Sequence, residues 1–265
     1  MLKSELDKHK IKFQILNLDA KIPAISSIIL TTFEDINKTG KRTQDNYLVY
    51  SKKRDFNRFL IKVVAAFRVG FKKYYSKLTF SIDPGNKLGL MIFLDDYYLD
   101  SYCCFEKIEL LKMIKKYVVT FQEDNPKTIY LDFKLGRGVL TITYDLVKQI
   151  YRIFQSRKNL KVFLIDEFRS SKIRFSGKKT GRKFSKDEIS ALILAFRNGI
   201  AIDQDNYENI FTQITNKKLN TCNSNTLKTK NHEKSLSDLK EMVKKALDGE
   251  FTLSSAIKML NNTTL

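Results

Sequence analysis

The chain has 265 residues, with 48 lysines and arginines against 29 aspartates and glutamates, two histidines, three cysteines and no tryptophan. A net charge of +19 points to a polyanionic partner, nucleic acid or an acidic membrane face, ahead of a lysine-rich surface that is merely solvated. Cys103 and Cys104 are adjacent and Cys222 is remote, which spells out neither a disulfide framework nor a zinc site, and His9 and His232 lie in polar segments unsuited to a histidine-dependent triad. Residues 1–12 are charged and carry no apolar signal core. No run approaches the ~20 apolar residues of a membrane span. The expectation is therefore an intracellular, reduced protein, cytoplasmic or nucleoid-associated, without a membrane partner.

In chain order, residues 1–76 read as an N-terminal extension. The runs "IKFQIL" and "AISSIILTTF" predict two short strands, and residues 34–50 read as polar and turn-rich. Phe56, Phe59, Leu60, Val63, Val64, Phe67 and Phe71 recur at helical spacing and predict an amphipathic helix. From residue 77 to 203 the pattern is that of an α/β core. "KLTFSI", "LGLMIF" and "YYLDSYCCF" are strands joined by short polar turns, which forces an antiparallel meander. A helix over "KIELLKMIKKYVVTF", a strand at "KTIYLDF", a helix over "LTITYDLVKQIYRIF" and a strand at "LKVFLIDEF" follow. A basic loop then leads into the helix "SKDEISALILAFRNGI", where Ser185 as N-cap and Glu188 three residues on form a capping box. The composition of residues 204–235 predicts a linker or disordered segment. Residues 236–265 predict a helical element whose Leu236, Leu239, Met242, Val243 and Leu247 form an apolar face that must dock on its own domain, pair with a copy, or bind a partner.

A strand followed by crossover helices implies a mixed sheet with helices on its faces. In such sheets the carboxyl ends of parallel strands open onto one crevice. Asp83 ends the first core strand, Asp132 lies in "TIYLDF", Asp166 and Glu167 end "VFLIDE", and Asp187 and Glu188 open the last core helix. One carboxylate at a strand end is ordinary. Several converging without histidine suit a hard divalent cation, which takes oxygen ligands and can serve phosphodiester hydrolysis.

The order of these elements is similar to the ribonuclease H-like fold, and "SIDPGNKLGLMIF" resembles the first motif of the RuvC and YqgF group of Holliday-junction resolvases: an aspartate ending strand one, a Pro-Gly turn, and a glycine opening strand two. "IYLDFKLGRG" stands where that group has its second acid, with Asp132 in place of the more frequent glutamate. "FLIDEFRSS" resembles its Asp-Glu-Arg motif, with Phe168 inserted before Arg169. "KDEISALILAF" resembles its last helix, with Asp187 at the first acidic position and Ser190 at the second. The resemblance covers about residues 77–200. It implies a ribonuclease H-like mixed sheet and a divalent-metal endonuclease of DNA recombination and repair. It further implies Mg²⁺ or Mn²⁺ held by Asp83, Asp132 and Asp187 with Glu188 and Glu167 as candidate further ligands, branched DNA or structured nucleic acid as substrate, 5′-phosphate and 3′-hydroxyl products, and a homodimer. Ser190 and the shorter acid at 132 favour the alternative, a nucleic-acid-binding protein or scaffold of the same fold without the reaction.

Between Phe168 and Lys186 the chain has eight cations and no acid before Asp187: Arg169, Lys172, Arg174, Lys178, Lys179, Arg182, Lys183 and Lys186. Such a run neutralises phosphates and releases counterions, so these residues are the candidate nucleic-acid contacts. Phe175 and Phe184 either stack on bases or anchor the loop on the core. In "KLGRG" two glycines and Arg137 precede a helix, where exposed amides could hold a phosphate.

Overall fold

The computed structural model describes residues 1–17, 28–39, 46–53, 55–167, 184–220 and 232–262. Its centre is a six-stranded mixed sheet in the order β5-β4-β3-β6-β7-β8. The strands are β3 (Lys77–Asp83), β4 (Leu88–Leu94), β5 (Tyr97–Cys104), β6 (Tyr130–Gly136), β7 (Leu160–Ile165) and β8 (Gly199–Ile202). β3, β4 and β5 form the expected antiparallel meander, and β6 and β7 continue from β3 in parallel. Asp95 and Asp96 both take positive φ in the two-residue turn from β4 to β5; this matches the twist of a tight hairpin. Asp95 is fixed there by accepting the backbone N–H groups of Ser76 at 2.8 Å and Lys77 at 3.0 Å. β8, antiparallel to β7, was not expected: it begins four residues after the end of α6, and Gly199 and Ile200 read as that helix's tail.

Both faces of the sheet are covered, which explains why β4 is buried along its whole length and reads as an unbroken apolar run. On one face, Leu78, Phe80 and Ile82 of β3 and Phe133 and Leu135 of β6 pack with helices α3 (Phe56–Arg68), α4 (Lys107–Gln122), α5 (Leu140–Ile153) and α7 (Tyr207–Asn220). The alternate residues of β4, Met91 and Phe93, pack with α6 (Lys186–Ala195), α8 (His232–Leu247) and α9 (Leu253–Asn262) on the other. The apolar face of α8 therefore docks on its own domain: Val243 and Leu247 are buried beside Leu253 and Ala256 of α9. The Leu253 N–H donates to the Asp96 carbonyl at 2.8 Å, which ties α9 to the β4–β5 turn.

The N-terminal region departs further from expectation. Residues 2–8 form α1 (Leu2–Lys8), and the run "IKFQIL" is not a strand. Part of the second run is β1 (Ile29–Thr32), paired in parallel with β2 (Tyr47–Tyr50), and α2 (Phe33–Thr39) lies between them in the segment expected to be turns. α3 is helical as predicted, but it is buried on two sides: Phe59 and Val63 join a small cluster with Leu6, while Ile61, Val64 and Ala65 join the main core. Phe67, expected inside, is exposed. The expected linker begins with α7, whose Phe211 is in the main core; residues 221–231 lie outside the described part. Among the described residues no helix is long and apolar enough to cross a membrane.

Burying one Val or Leu side chain contributes roughly 1.5–3 kcal/mol, and domains are stable by only about 5–15 kcal/mol. Removing residues 232–265 strips Val243, Leu247 and Leu253 from the α6 face. The truncated chain is expected to bind a hydrophobic dye and to lose its sharp urea transition. A truncated chain that unfolds cooperatively at the full-length midpoint would show that α8 and α9 are dispensable.

Candidate active site

The carboxyl ends of β3, β6 and β7, the start of β4 and the end of β5 lie together at one end of the sheet. Helix α6 enters over this end. Its first turn rests directly on Gly89: a Cβ there would fall inside contact distance of the Asp187 carbonyl and the Glu188 amide. The Ser81 hydroxyl donates to the Ala191 carbonyl at 2.7 Å. At the far end of the helix the Lys134 ammonium donates to the Ala195 and Arg197 carbonyls, a cation on the negative pole of the helix. Burial pushes Lys134 down to about 8.

The capping box is formed as predicted. The Ser185 hydroxyl accepts the Glu188 N–H at 3.1 Å, and the Glu188 carboxylate accepts the Ser185 N–H at 2.8 Å. Its other oxygen accepts the Ser101 hydroxyl at 2.7 Å. Glu188 is buried with both oxygens engaged, so as positioned it fastens α6 to β5 and does not present a ligand. This corrects its assignment as a candidate metal ligand.

Asp187, one residue earlier, turns toward the cleft, where the Cys103 thiol donates to its Oδ2 at 3.6 Å. Asp83 sits at the end of β3, opposite Gly89. The third acid is Glu167, two residues beyond β7. Its carboxylate accepts the Gly138 N–H at 2.8 Å and occupies the space that side chains at Gly136 and Gly138 would fill. The amide at Gly138, expected to offer itself to phosphate, is thus taken by Glu167.

The register of β3 and β6 places Gly136 beside Asp83, since Ile82 pairs with Leu135. The missing side chain lets Glu167 reach toward Asp83 from one strand further away. The Asp83 carboxyl is pushed up to about 7, first by burial and then by the negative charges of Glu167 and Asp187; the Ser190 hydroxyl and Lys186 pull the other way. Ser190, at the position where the resembled helix has a second acid, thus favours the charged form of Asp83 where an acid would oppose it.

Asp132 does not join this group. It pairs with Thr79 in the register, four residues before Asp83, which is about 13 Å along the strand. It lies on the same sheet face but at the other end, where the Lys77 ammonium reaches it at 2.9 Å. The sequence placed Asp132 late in its strand, but β6 runs three residues beyond the expected end, to Gly136, which carries the strand end past it. Asp166 pairs with Arg137 at the exposed rim.

Arg169, Lys172, Arg174, Lys178, Lys179, Arg182, Lys183 and Phe175 lie outside the described residues. Lys186 is exposed on the first turn of α6 and adds to the field at Asp83. Phe184 is buried against Tyr98, with ring centroids 6.1 Å apart; it anchors the loop's return to the core.

Among the described residues no three His, Cys, Asp or Glu side chains are gathered into a ready-made ligand cluster. Glu167 and Asp187 both act on Asp83 through their charge, but the three do not close into a cage. The donor set nevertheless fits a hard cation: it is all oxygen, it comes from three separate elements, and a positive charge would relieve the repulsion at Asp83. The carboxyls also make a pH-dependent statement. Asp83 has a folded pKa above its unfolded value near 3.9, so its contribution is full below about pH 4 and is lost as pH rises toward 7. Asp83→Asn is therefore expected to gain stability over the natural chain progressively between about pH 4 and 7 and to level off above that, in urea titrations at each pH. A difference that does not change with pH would mean that Asp83 titrates normally. No protein-family model, curated protein or solved structure matches the chain.

Proposed function

We propose that the protein is a divalent-metal-dependent nuclease acting on branched or structured nucleic acid, with Asp83, Glu167 and Asp187 as its metal-binding acids. The observation that carries this is the convergence of those three carboxylates at the carboxyl end of β3, with Asp83 forced up to about 7 by burial and by the other two. Nature seldom buries like charges together without a compensating cation. The strand order β5-β4-β3-β6-β7, with β4 reversed, supports the ribonuclease H-like arrangement and the RuvC and YqgF resemblance read from the sequence. The net charge of +19 and the acid-free basic run joining Glu167 to α6 support a phosphate-bearing substrate.

In this reading Mg²⁺ or Mn²⁺ supplies charge neutralisation and polarises the phosphodiester. The chain's own contribution is positional. Gly136 and Gly138 make room for Glu167, Gly89 admits the first turn of α6, and the Ser190 hydroxyl favours the charged form of Asp83. Glu167 replaces Asp132 in the ligand set that the sequence implied. The second reading, binding without cleavage, is favoured by Ser190 in an acidic position and by the open arrangement of the three acids.

The test is cleavage of a four-way junction and of a plain duplex in Mg²⁺ and Mn²⁺. Asp83→Asn and Glu167→Gln are each expected to slow cleavage by on the order of 100-fold or more while nucleic-acid binding persists. Asp132→Asn should leave the rate nearly unchanged. Mg²⁺ should also raise the melting temperature of the natural chain and not that of Asp83→Asn. No cleavage of either substrate by the natural chain, with binding intact, would select the second reading. An Asp132→Asn loss equal to that of Asp83→Asn would reject the ligand set.

A further inference from the structure

Beside the acidic end of the sheet the chain exposes an aromatic ring that the core does not use. Phe105 immediately follows β5 and is 68 % exposed, and Ile108, one helical turn on, is exposed as well. Phe105 belongs to none of the described hydrophobic clusters. Isolated exposed apolar residues are common, but this one has a defined setting. The Phe105 N–H donates to the Glu109 carboxylate at 3.1 Å, which fixes its backbone to the start of α4. The Lys87 ammonium lies 4.9 Å from the centre of its ring.

Lys87 comes from the turn between β3 and β4, the same turn that Asp83 opens. Cys103, two residues before Phe105, contacts Asp187. Phe105 therefore stands at the same end of the sheet as the acids: Cys103 is level with Asp83, two strand spacings or about 10 Å across the sheet, and Phe105 lies two residues further along.

Resting on the nucleic-acid reading above, we infer that Phe105 and Lys87 form a stacking platform for one unpaired base and its phosphate. The strand delivered to Asp83, Glu167 and Asp187 is then a single strand or a splayed junction arm, and not the interior of a continuous duplex. Every base offers a π-face to an aromatic ring. An ammonium already held against that ring is placed to take the flanking phosphate by charge complementarity. A base inside a duplex is stacked on its neighbours and cannot lie on Phe105 without being unpaired first. The platform is short of sequence information, because stacking and phosphate contact read no base edge.

The test uses the full chain in metal-free buffer with chelator, at one fixed salt concentration, so that binding is read apart from cleavage. The probes are a single-stranded oligonucleotide carrying a fluorescent adenine analogue and the same strand in a fully paired duplex. Phe105→Ala is expected to weaken single-strand binding roughly tenfold or more, to leave duplex binding within about twofold, and to abolish the stacking-dependent quenching of the analogue; Phe105→Tyr should restore all three. A thermal melt shows that the variants are folded, as a side chain this exposed should allow. Unchanged single-strand affinity in Phe105→Ala, an equal loss for both probes, or no binding of either probe by the natural chain would overturn the platform. A chain that binds through Phe105 but cleaves nothing keeps the platform and loses the nuclease; one that cleaves normally after Phe105→Ala with unchanged single-strand affinity loses the platform alone.

Discussion

The contact on which the candidate site depends is the seating of the first turn of α6 on Gly89. No side chain stands between helix backbone and strand backbone there, so Asp187 is delivered to the level of Asp83. The rest of the helix is held from both ends: Glu188 is bonded to Ser101 and Ser185, and Lys134 donates to the last carbonyls. Each of these groups is polar and at least partly buried, and each has its partner on α6 or receives one from it. Such a network is costly to leave half-made, which gives the helix a single position.

Where α6 is fixed, the electrostatics of the cleft follow. Acids occur at both ends of the same sheet face, with opposite outcomes. At the lower end Asp132 meets Lys77, and the pair compensates itself. At the upper end Asp83 meets Glu167 and Asp187, and its proton is retained to about pH 7. The asymmetry arises from what the neighbouring positions lack. Glycines at 136 and 138 admit a glutamate beside Asp83, and Lys186 and the Ser190 hydroxyl compensate only in part. A site that repels its own charges is unfavourable alone and becomes favourable when a cation or a proton enters, the usual signature of functional carboxylates.

The second core explains a further property of the chain. Met91 and Phe93 face α6, α8 and α9, so the sheet is a middle layer and not a floor. Helices α8 and α9 therefore complete the shell around α6. Their distance in sequence from the core hides this, since residues 221–231 separate them from α7 in composition as well as in position.

The sequence by itself determined the elements whose pattern is local. The meander, α4, α5, the capping box at Ser185 and the apolar face of α8 are each readable from spacing, because hydrophobic periodicity and cap chemistry act over a few residues. It also put Asp83 at a strand end and Asp187 in the first turn of a helix, since a strand end before Pro-Gly and a helix start after a cap are local signals. Only the tertiary structure decided which acids meet. Asp132 and Glu167 were both plausible from the sequence, and the choice between them rests on where β6 ends and on the register of β6 against β3, a pairing of residues some fifty positions apart. The two-sided burial of α3, the strands β1, β2 and β8, and the docking of α8 were likewise settled by partners that no local pattern names. A short segment becomes a strand only when another strand's unpaired N–H and C=O groups lie beside it, and that is a property of the folded chain.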